Sequence, residues 1–355
     1  MKKAITSKKW LTSFLCVFLA AAMLVGIAVW LVDPFYQFRY RENSYIKNTA
    51  MFFGPGLVKN YDYDTLLLGS SMCQNFHMDV MRSELNCEPI HVGIGGIGLD
   101  EILDYIALSE KVGRCENYYI GLDQYMLATP QKFNTPEHLF RDDPLAVLRY
   151  MFSYEVCFRY LPLGMAMTAV SATGVELPGK FQRAMDIDYL GNWENDFTYG
   201  ADFVIRRFID ASYSVSEVEL DGLSQRMKEN ADKLFQNLPG DKSRYHIFFP
   251  PYSVLFWSDA AQKGYFEEYQ DAKRYVLQRA EEYGIEVYDF QAQDFVSDLN
   301  IYKDSTHYGS QINDWMVGCF ASGECLLDAQ TLEENIAALS DAVDAFTEEY
   351  AWLFE

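Results

Sequence analysis

The sequence predicts an α/β domain built on a five-stranded parallel sheet and preceded by one membrane-spanning helix. Three observations carry this expectation: an uncharged run from Leu11 to Val32, short apolar strand patterns alternating with helical periods, and strand ends marked by glycine or a polar residue. Of 355 residues half are apolar and 23% charged, which excludes a disordered or fibrous chain and suffices for one large or two small cores. Lys and Arg number 29 against 51 Asp and Glu, a net charge of -22, so a nucleic-acid partner is excluded on charge.

The run LTSFLCVFLAAAMLVGIAVWLV, rising about 1.5 Å per residue as a helix, covers a hydrocarbon core of about 30 Å. Lys2, Lys3, Lys8 and Lys9 precede it, and Asp33 and Pro34 follow. The positive-inside rule therefore places residues 1–10 in the cytoplasm, 11–32 in the cell membrane and 33–355 outside. A cleaved signal peptide is the rival reading. Against it, bulky Val29, Trp30, Leu31 and Val32 stand where a small-x-small cleavage site belongs, which favours an uncleaved signal anchor. With four lysines inside, the outer part is more acidic than the whole chain; an anionic membrane surface repels it, and the span does the anchoring.

Outside the span, Asp64–Gly69 (DTLLLG) is the first buried-strand pattern, followed by a helix over 76–85. Pro89–Ile94 (PIHVGI) is the second, running into Gly95, Gly96 and Gly98 and a helical period through Leu99, Ile102, Tyr105 and Ile106. The third, Tyr118–Leu122 (YYIGL), ends at Asp123. The rhythm then breaks from about 128 to 243 and resumes with Tyr245–Phe249, a helix over 266–283 and a fifth strand, Ile285–Phe290. Parallel sheets of this kind carry helices on both faces and bind ligands beyond the carboxyl ends of their strands. The chemistry is thus expected in loops 69–75, 93–99, 123–127, 250–257 and after 290. The interruption holds helical stretches at 144–159, 201–208 and 220–238 and the aromatic turn GNWENDFTYG. Leaving from the ligand side, it reads as a lid. Near the C-terminus Ile336, Leu339, Val343, Phe346, Tyr350 and Leu353 mark an amphipathic helix expected to dock on its own domain.

Seven scattered cysteines lack C-x-x-C or zinc spacing, so neither a structural metal nor a cofactor is expected. Cys16 lies within the span. An oxidising compartment permits bridges such as Cys319 with Cys325 or Cys87 with Cys115, with connectivity left open.

Two turns carry the chemical signal. Gly69-Ser70-Ser71-Met72 sets a hydroxyl at a strand-to-helix turn, where backbone N–H groups stabilise negative charge. In Asp304-Ser305-Thr306-His307 a carboxylate and an imidazole three apart can meet and fix the imidazole tautomer. His307 alone among five histidines has an acid so placed in a ligand-side loop; His91 and His246 fall inside apolar strands as packing residues, and His77 and His138 have no evident partner.

A Gly-x-Ser after the first strand, a glycine-rich turn after the second, a polar residue after the third and a late Asp-x-x-His resemble the SGNH or GDSL hydrolases, over residues 64–310. The resemblance implies a flavodoxin-like three-layer sandwich, with Ser71 as nucleophile, His307 as base and Asp304 as its orienting acid. It puts Gly96 and Asp123 at the oxyanion positions, with the backbone N–H of Ser71. Two departures stand out: His91 replaces the usual second-block asparagine, and Asp123 replaces the third-block asparagine, whereas an ionised carboxylate cannot donate to an oxyanion. With its anchor, the chain is most similar to envelope members of the family, including those of teichoic acid D-alanylation and those that partner membrane-bound O-acyltransferases. The implied activity is that of a serine acyl esterase or acyltransferase acting on O-acyl groups of a cell-envelope polysaccharide or glycopolymer, with water or a hydroxyl as acceptor. The alternative is a catalytically weak protein of this fold that binds envelope glycan or scaffolds such an acyltransferase; Asp123, the acidic surface and Trp193, Phe197 and Tyr199 motivate it.

Overall fold

The computed structural model describes residues 7–41, 50–129, 134–173, 186–210 and 218–354. Lys2 and Lys3 and parts of the expected lid (130–133, 174–185 and 211–217) lie outside the described residues. The chain forms two compact units: residues 1–47, 52–61 and 135–186 make one, and 48–51, 62–134 and 187–355 the other. The expected insertion is thereby shared, its part up to 186 grouping with the N-terminal helix and its part from 187 with the sheet.

The sheet unit is α/β. Its strands β1 (Thr65–Gly69), β2 (Pro89–Gly93), β3 (Asn117–Gly121), β4 (Tyr245–Phe249) and β5 (Glu286–Asp289) pair in parallel in the order 2-1-3-4-5. Each begins and ends within one residue of its expected bounds. The strands are apolar without alternation because both sheet faces are covered: Leu66, Leu67 and Leu68 are buried alike, as are Ile90, Val92, Ile120, Ile247 and Phe248. From β1 the chain steps one way to β2, then back across β1 to β3. Right-handed crossovers in opposite directions put the connecting helices on opposite faces. Accordingly α3 (Met78–Leu85) packs with α12 (Ser310–Ser322), whereas α4 (Leu99–Val112), α9 (Leu223–Asn237) and α11 (Phe266–Tyr283) form a second group. The reversal opens a crevice at the carboxyl ends of β1 and β3, the binding position of doubly wound sheets.

Helix α13 (Ala329–Glu349) starts on a capping box between Asp328 and Thr331 and buries Leu332, Ile336, Leu339, Val343 and Phe346 against α10 (Val254–Gln262) and α11. The amphipathic helix thus docks within its own unit, although Tyr350 and Leu353 fall past its end. The fully buried Lys273 Nζ lies 3.1 Å from Asp289 Oδ2, which also accepts from Asn335 Nδ2 at 3.2 Å, joining α11, β5 and α13. All seven cysteines are free thiols. Cys319 and Cys325 approach to 3.8 Å between sulfurs, whereas Cys87 and Cys115 each bond a nearby backbone carbonyl.

The other unit gathers on α1 (Ser7–Val32), whose most apolar 18-residue window has mean hydropathy 2.8 and is 11% buried; by length and composition it can cross a membrane. Past Val32 the chain turns on Asp33, whose carboxylate accepts from the N–H groups of Gln37, Phe38 and Arg39 and from the Tyr150 hydroxyl. Arg39 and Arg41 donate to the exposed carbonyls of Trp30 and Leu31, placing cations at the negative end of the helix dipole. The Phe35 ring packs on Phe52 and Phe53 of α2 (Ala50–Asn60) and on Tyr150 and Tyr160. The helix expected over 144–159 is broken: α6 (Pro144–Met151) ends at Phe152, and a π-helical segment (Glu155–Tyr160) leads into α7 (Leu161–Ala172).

Candidate active site

The first turn is shaped by close approach. A Cβ on Gly69 would come within 2.4 Å of Cys73 Sγ, so only glycine lets the chain leave β1 and fold back at once into the 3-10 turn Ser71–Cys73. Ser70 caps that turn, its hydroxyl accepting from Met72 N at 3.1 Å, and Asn313 of α12 donates to Met72 O at 3.1 Å. Ser71 is left half-buried at the tip with its side chain available.

The second turn comes from a narrow loop. An antiparallel bridge joins Tyr302 to Tyr308, and Lys303 N donates to His307 O at 2.9 Å. Ser253 beyond β4 fastens the loop through its N–H and hydroxyl, both donating to Ser305 O. Asp304 is fully buried, and its carboxylate accepts from the N–H groups of Thr306 and His307 and the Thr306 hydroxyl at 2.9–3.1 Å. His307 Nδ1 lies 2.8 and 3.0 Å from the two Asp304 oxygens. Burial alone would raise the Asp304 carboxyl; the His307 side chain and the two backbone N–H groups outweigh it and hold the carboxyl down at about 2. Since an ionised carboxylate only accepts, Nδ1 carries a proton, and in the neutral ring that leaves Nε2 as the accepting nitrogen. The Ser71 hydroxyl donates to that nitrogen, Oγ to Nε2 being 2.7 Å. Residues 236 apart in sequence thus meet in one hydrogen-bonded chain.

Of the two expected oxyanion positions, Gly96 lies in the turn after β2 with φ +70, a conformation that favours glycine, and open space surrounds where its side chain would be. Neither its N–H nor that of Ser71 makes a hydrogen bond among the described residues. Asp123 follows β3 and stands at the N-cap of the short helix that begins at Gln124. It is fully buried, and one carboxylate oxygen accepts a hydrogen bond from the Tyr252 hydroxyl. Burial pushes its carboxyl up to about 6, although Tyr252, Ser70 and His307 draw it down. His91 lies beneath the first turn with Nδ1 3.2 Å from Cys73 O, and burial lowers it to about 4, so it packs as a neutral ring.

The sequence marks Trp193 by its aromatic turn, but its contacts come from distant segments. Its indole donates to Ser71 O at 3.3 Å, its N–H donates to Asn75 Oδ1 at 3.0 Å, and its ring stands edge-on to His307 at 5.4 Å. Lys303 Nζ sits 4.0 Å from the Trp193 centroid and 3.6 Å from that of Phe197; burial lowers this ammonium to about 8, Asp304 opposing. His77 also has partners the sequence did not reveal: Nδ1 is 2.9 Å from Asp314 and Nε2 is 3.0 Å from Glu194. The hydrogen bond to Asp314 leads in raising it to about 9, with burial opposing and Glu194 adding. Glu194 adjoins Trp193, so this clamp holds the aromatic turn to α3 and α12. The only local signal was the composition of GNWENDFTYG and, for Tyr252, its place in loop 250–257.

Among the described residues no cluster of His, Cys, Asp and Glu has the makings of a metal site. The assembled groups can instead pass a proton from a hydroxyl to an imidazole whose other nitrogen is held by a carboxylate. Comparison with family models and with curated protein sequences returns no match for this chain.

Proposed function

We propose that this chain is a serine acyl esterase or acyltransferase of the SGNH type, held at the outer face of the cell membrane by α1, and that it acts on O-acyl groups of an envelope polysaccharide or glycopolymer. One observation carries the reading: Ser71 Oγ, His307 and Asp304 form a continuous hydrogen-bonded relay at the crevice of a 2-1-3-4-5 sheet. The strand order is that of flavodoxin-like sandwiches and supports the same family. The localisation rests on the apolar length of α1 and the lysines ahead of it, and the polymer class on the family resemblance alone.

In this reading Ser71 Oγ attacks the ester carbonyl carbon as its proton passes to His307 Nε2, and Asp304 stabilises the imidazolium. The N–H groups of Ser71 and Gly96 receive the oxyanion. Collapse breaks the ester C–O bond, the departing alcohol takes the proton from Nε2, and the acyl group stays on Ser71. Water or a sugar hydroxyl then reverses these steps, giving hydrolysis or transfer. Asp123, bonded to Tyr252, takes no part as a donor while ionised.

A fluorophosphonate probe on the full chain in detergent tests this: wild type becomes labelled and Ser71→Ala does not. The burial of Asp123 at the third oxyanion position favours a second reading, a weakly catalytic protein that binds glycan or scaffolds a membrane-bound O-acyltransferase. A folded wild-type chain that resists the probe would overturn the first reading and leave the second standing.

A further inference from the structure

The residues of α1 turned toward protein are Ala22, Val25, Gly26, Ala28, Val29 and Val32, one face of the helix, whereas residues 7–21 are exposed throughout. Their neighbours are α6 and α7. A side chain on Gly26 would meet Met151 Cε at 3.3 Å and Phe152 Cζ at 3.8 Å, and one on Gly164 would meet Val32 Cγ1 at 2.6 Å. Small residues on both sides bring the helices close, as between helices in lipid.

The hairpin that packs here does not hide its own apolar surface. Leu145, Leu148, Phe152, Tyr154, Phe158 and Met165 are each at least 45% exposed. Scattered exposed apolar residues are ordinary; six within 145–165, beside a helix long enough to span a membrane, form a patch of the kind that contacts a partner or a membrane. An open groove between α1 and α6 continues the patch, lined by Met23, Ile27 and Trp30 on one side and Leu148, Met151 and Phe152 on the other. One wall of the groove is therefore the span itself, and whatever fills it lies at membrane depth. Gly26 precedes Val32 by six residues, about 9 Å along the axis at about 1.5 Å per residue, within the 5–10 Å to which interfacial helices sink. Arg149 and Arg159 are exposed among these apolar side chains, and Arg39 and Arg41 cap the span. Within 144–165 Arg149 and Arg159 stand against one acid, Glu155, so on a strongly acidic chain this segment can meet anionic headgroups, with the long stems lying in the apolar layer.

We propose that residues 144–165 are embedded in the outer leaflet beside α1, with lipid acyl chains filling the groove, so that the protein is held by an interfacial hairpin as well as by its span. The inference rests on the reading of α1 as a span and is independent of the chemistry at Ser71.

The test uses the full chain in vesicles of phosphatidylcholine and phosphatidylglycerol that contain a phospholipid with a photoactivatable diazirine in its acyl chain. After irradiation, digestion and mass spectrometry, adducts are expected on α1 and on peptides holding Leu148, Phe152 and Phe158, at yields within about twofold of those on residues 25–32. Adducts on α1 with none on 144–165 overturn the proposal and leave the span standing. Absence of adducts from α1 as well overturns the span and the hairpin together. A yield on 144–165 that falls as copies per vesicle rise, with residues 7–21 unchanged, assigns the groove to a second copy of the chain and also overturns it.

Discussion

Two imidazoles in the sheet unit are held in similar ways to different ends. His307 has the Asp304 carboxylate on Nδ1 and the Ser71 hydroxyl on Nε2. His77 has a carboxylate on each nitrogen, Asp314 and Glu194. Two acceptors fit only the doubly protonated ring, so His77 stays a cation up to about pH 9 and works as a clamp. One acceptor and one donor fit the neutral ring, which leaves His307 ready to accept the serine proton. The partner on the second nitrogen separates a clamped histidine from one that can exchange a proton with a hydroxyl.

The sharpest way to break this comparison is to change the two atoms that define the reactive site. Asp304→Asn removes the carboxylate that fixes the His307 tautomer, and kcat/KM toward a short acyl ester should fall by about 10⁴, with Ser71→Ala at least as severe and the double variant little worse. Equal activity in Asp304→Asn would mean that His307 does not need its orienting acid.

Next in size is Asp123→Asn. The folded carboxyl, raised to about 6, lies above its ordinary 3.8, so burial of the charge costs stability as pH rises through 6 and costs none below about 4. The Asn variant should gain up to about 3 kcal/mol at pH 8 and nothing at pH 4, read by denaturant unfolding at both pH values. An equal gain at both would trace to packing rather than charge.

At His77 the order of causes sets the order of effects. Asp314→Asn should lower its titration, followed by NMR, further than Glu194→Gln does. His77 is raised above its unfolded value near 6.5, so its stabilisation is complete below that pH and lost as pH passes about 9. The Tm gap between wild type and His77→Gln should therefore be widest near pH 6 and close by pH 10. A constant gap would make the clamp a matter of shape.

The smallest effect is expected at Trp193→Phe, which keeps the ring beside His307 but removes the hydrogen bond to Ser71 O. A loss of about 1 kcal/mol of stability is expected, read as a small fall in Tm, with kcat changed less than in any variant above.

How much of this was legible depended on the reach of each contact. Asp304 and His307 lie within one turn, so spacing alone placed them together; Ser71 follows a strand whose apolar run and closing glycine mark its end. The carboxylate pair on His77 joins positions 117 and 237 residues apart, and no local pattern records it. The same holds for the Tyr252 hydroxyl, which donates to Asp123 across 129 residues. The break in the helix expected over 144–159 was hidden as well, since its apolar period continues across Phe152 and Tyr154 where the backbone does not.

By itself the sequence determined the parallel sheet, because strands buried on both faces need unbroken apolar runs, and a first helix long and apolar enough to cross a membrane, because a hydrocarbon core admits about 20 residues without charge. It also determined the two turns that hold Ser71 and the Asp304–His307 pair. Only the tertiary structure decided that these turns meet at 2.7 Å, which imidazole has a carboxylate on both nitrogens and which on one, and that Asp123 meets Tyr252. The physical reason is common to all three: hydrogen-bond geometry between distant segments depends on tenths of an ångström in packing, while the pattern of apolar residues that a single chain displays records only which faces are covered.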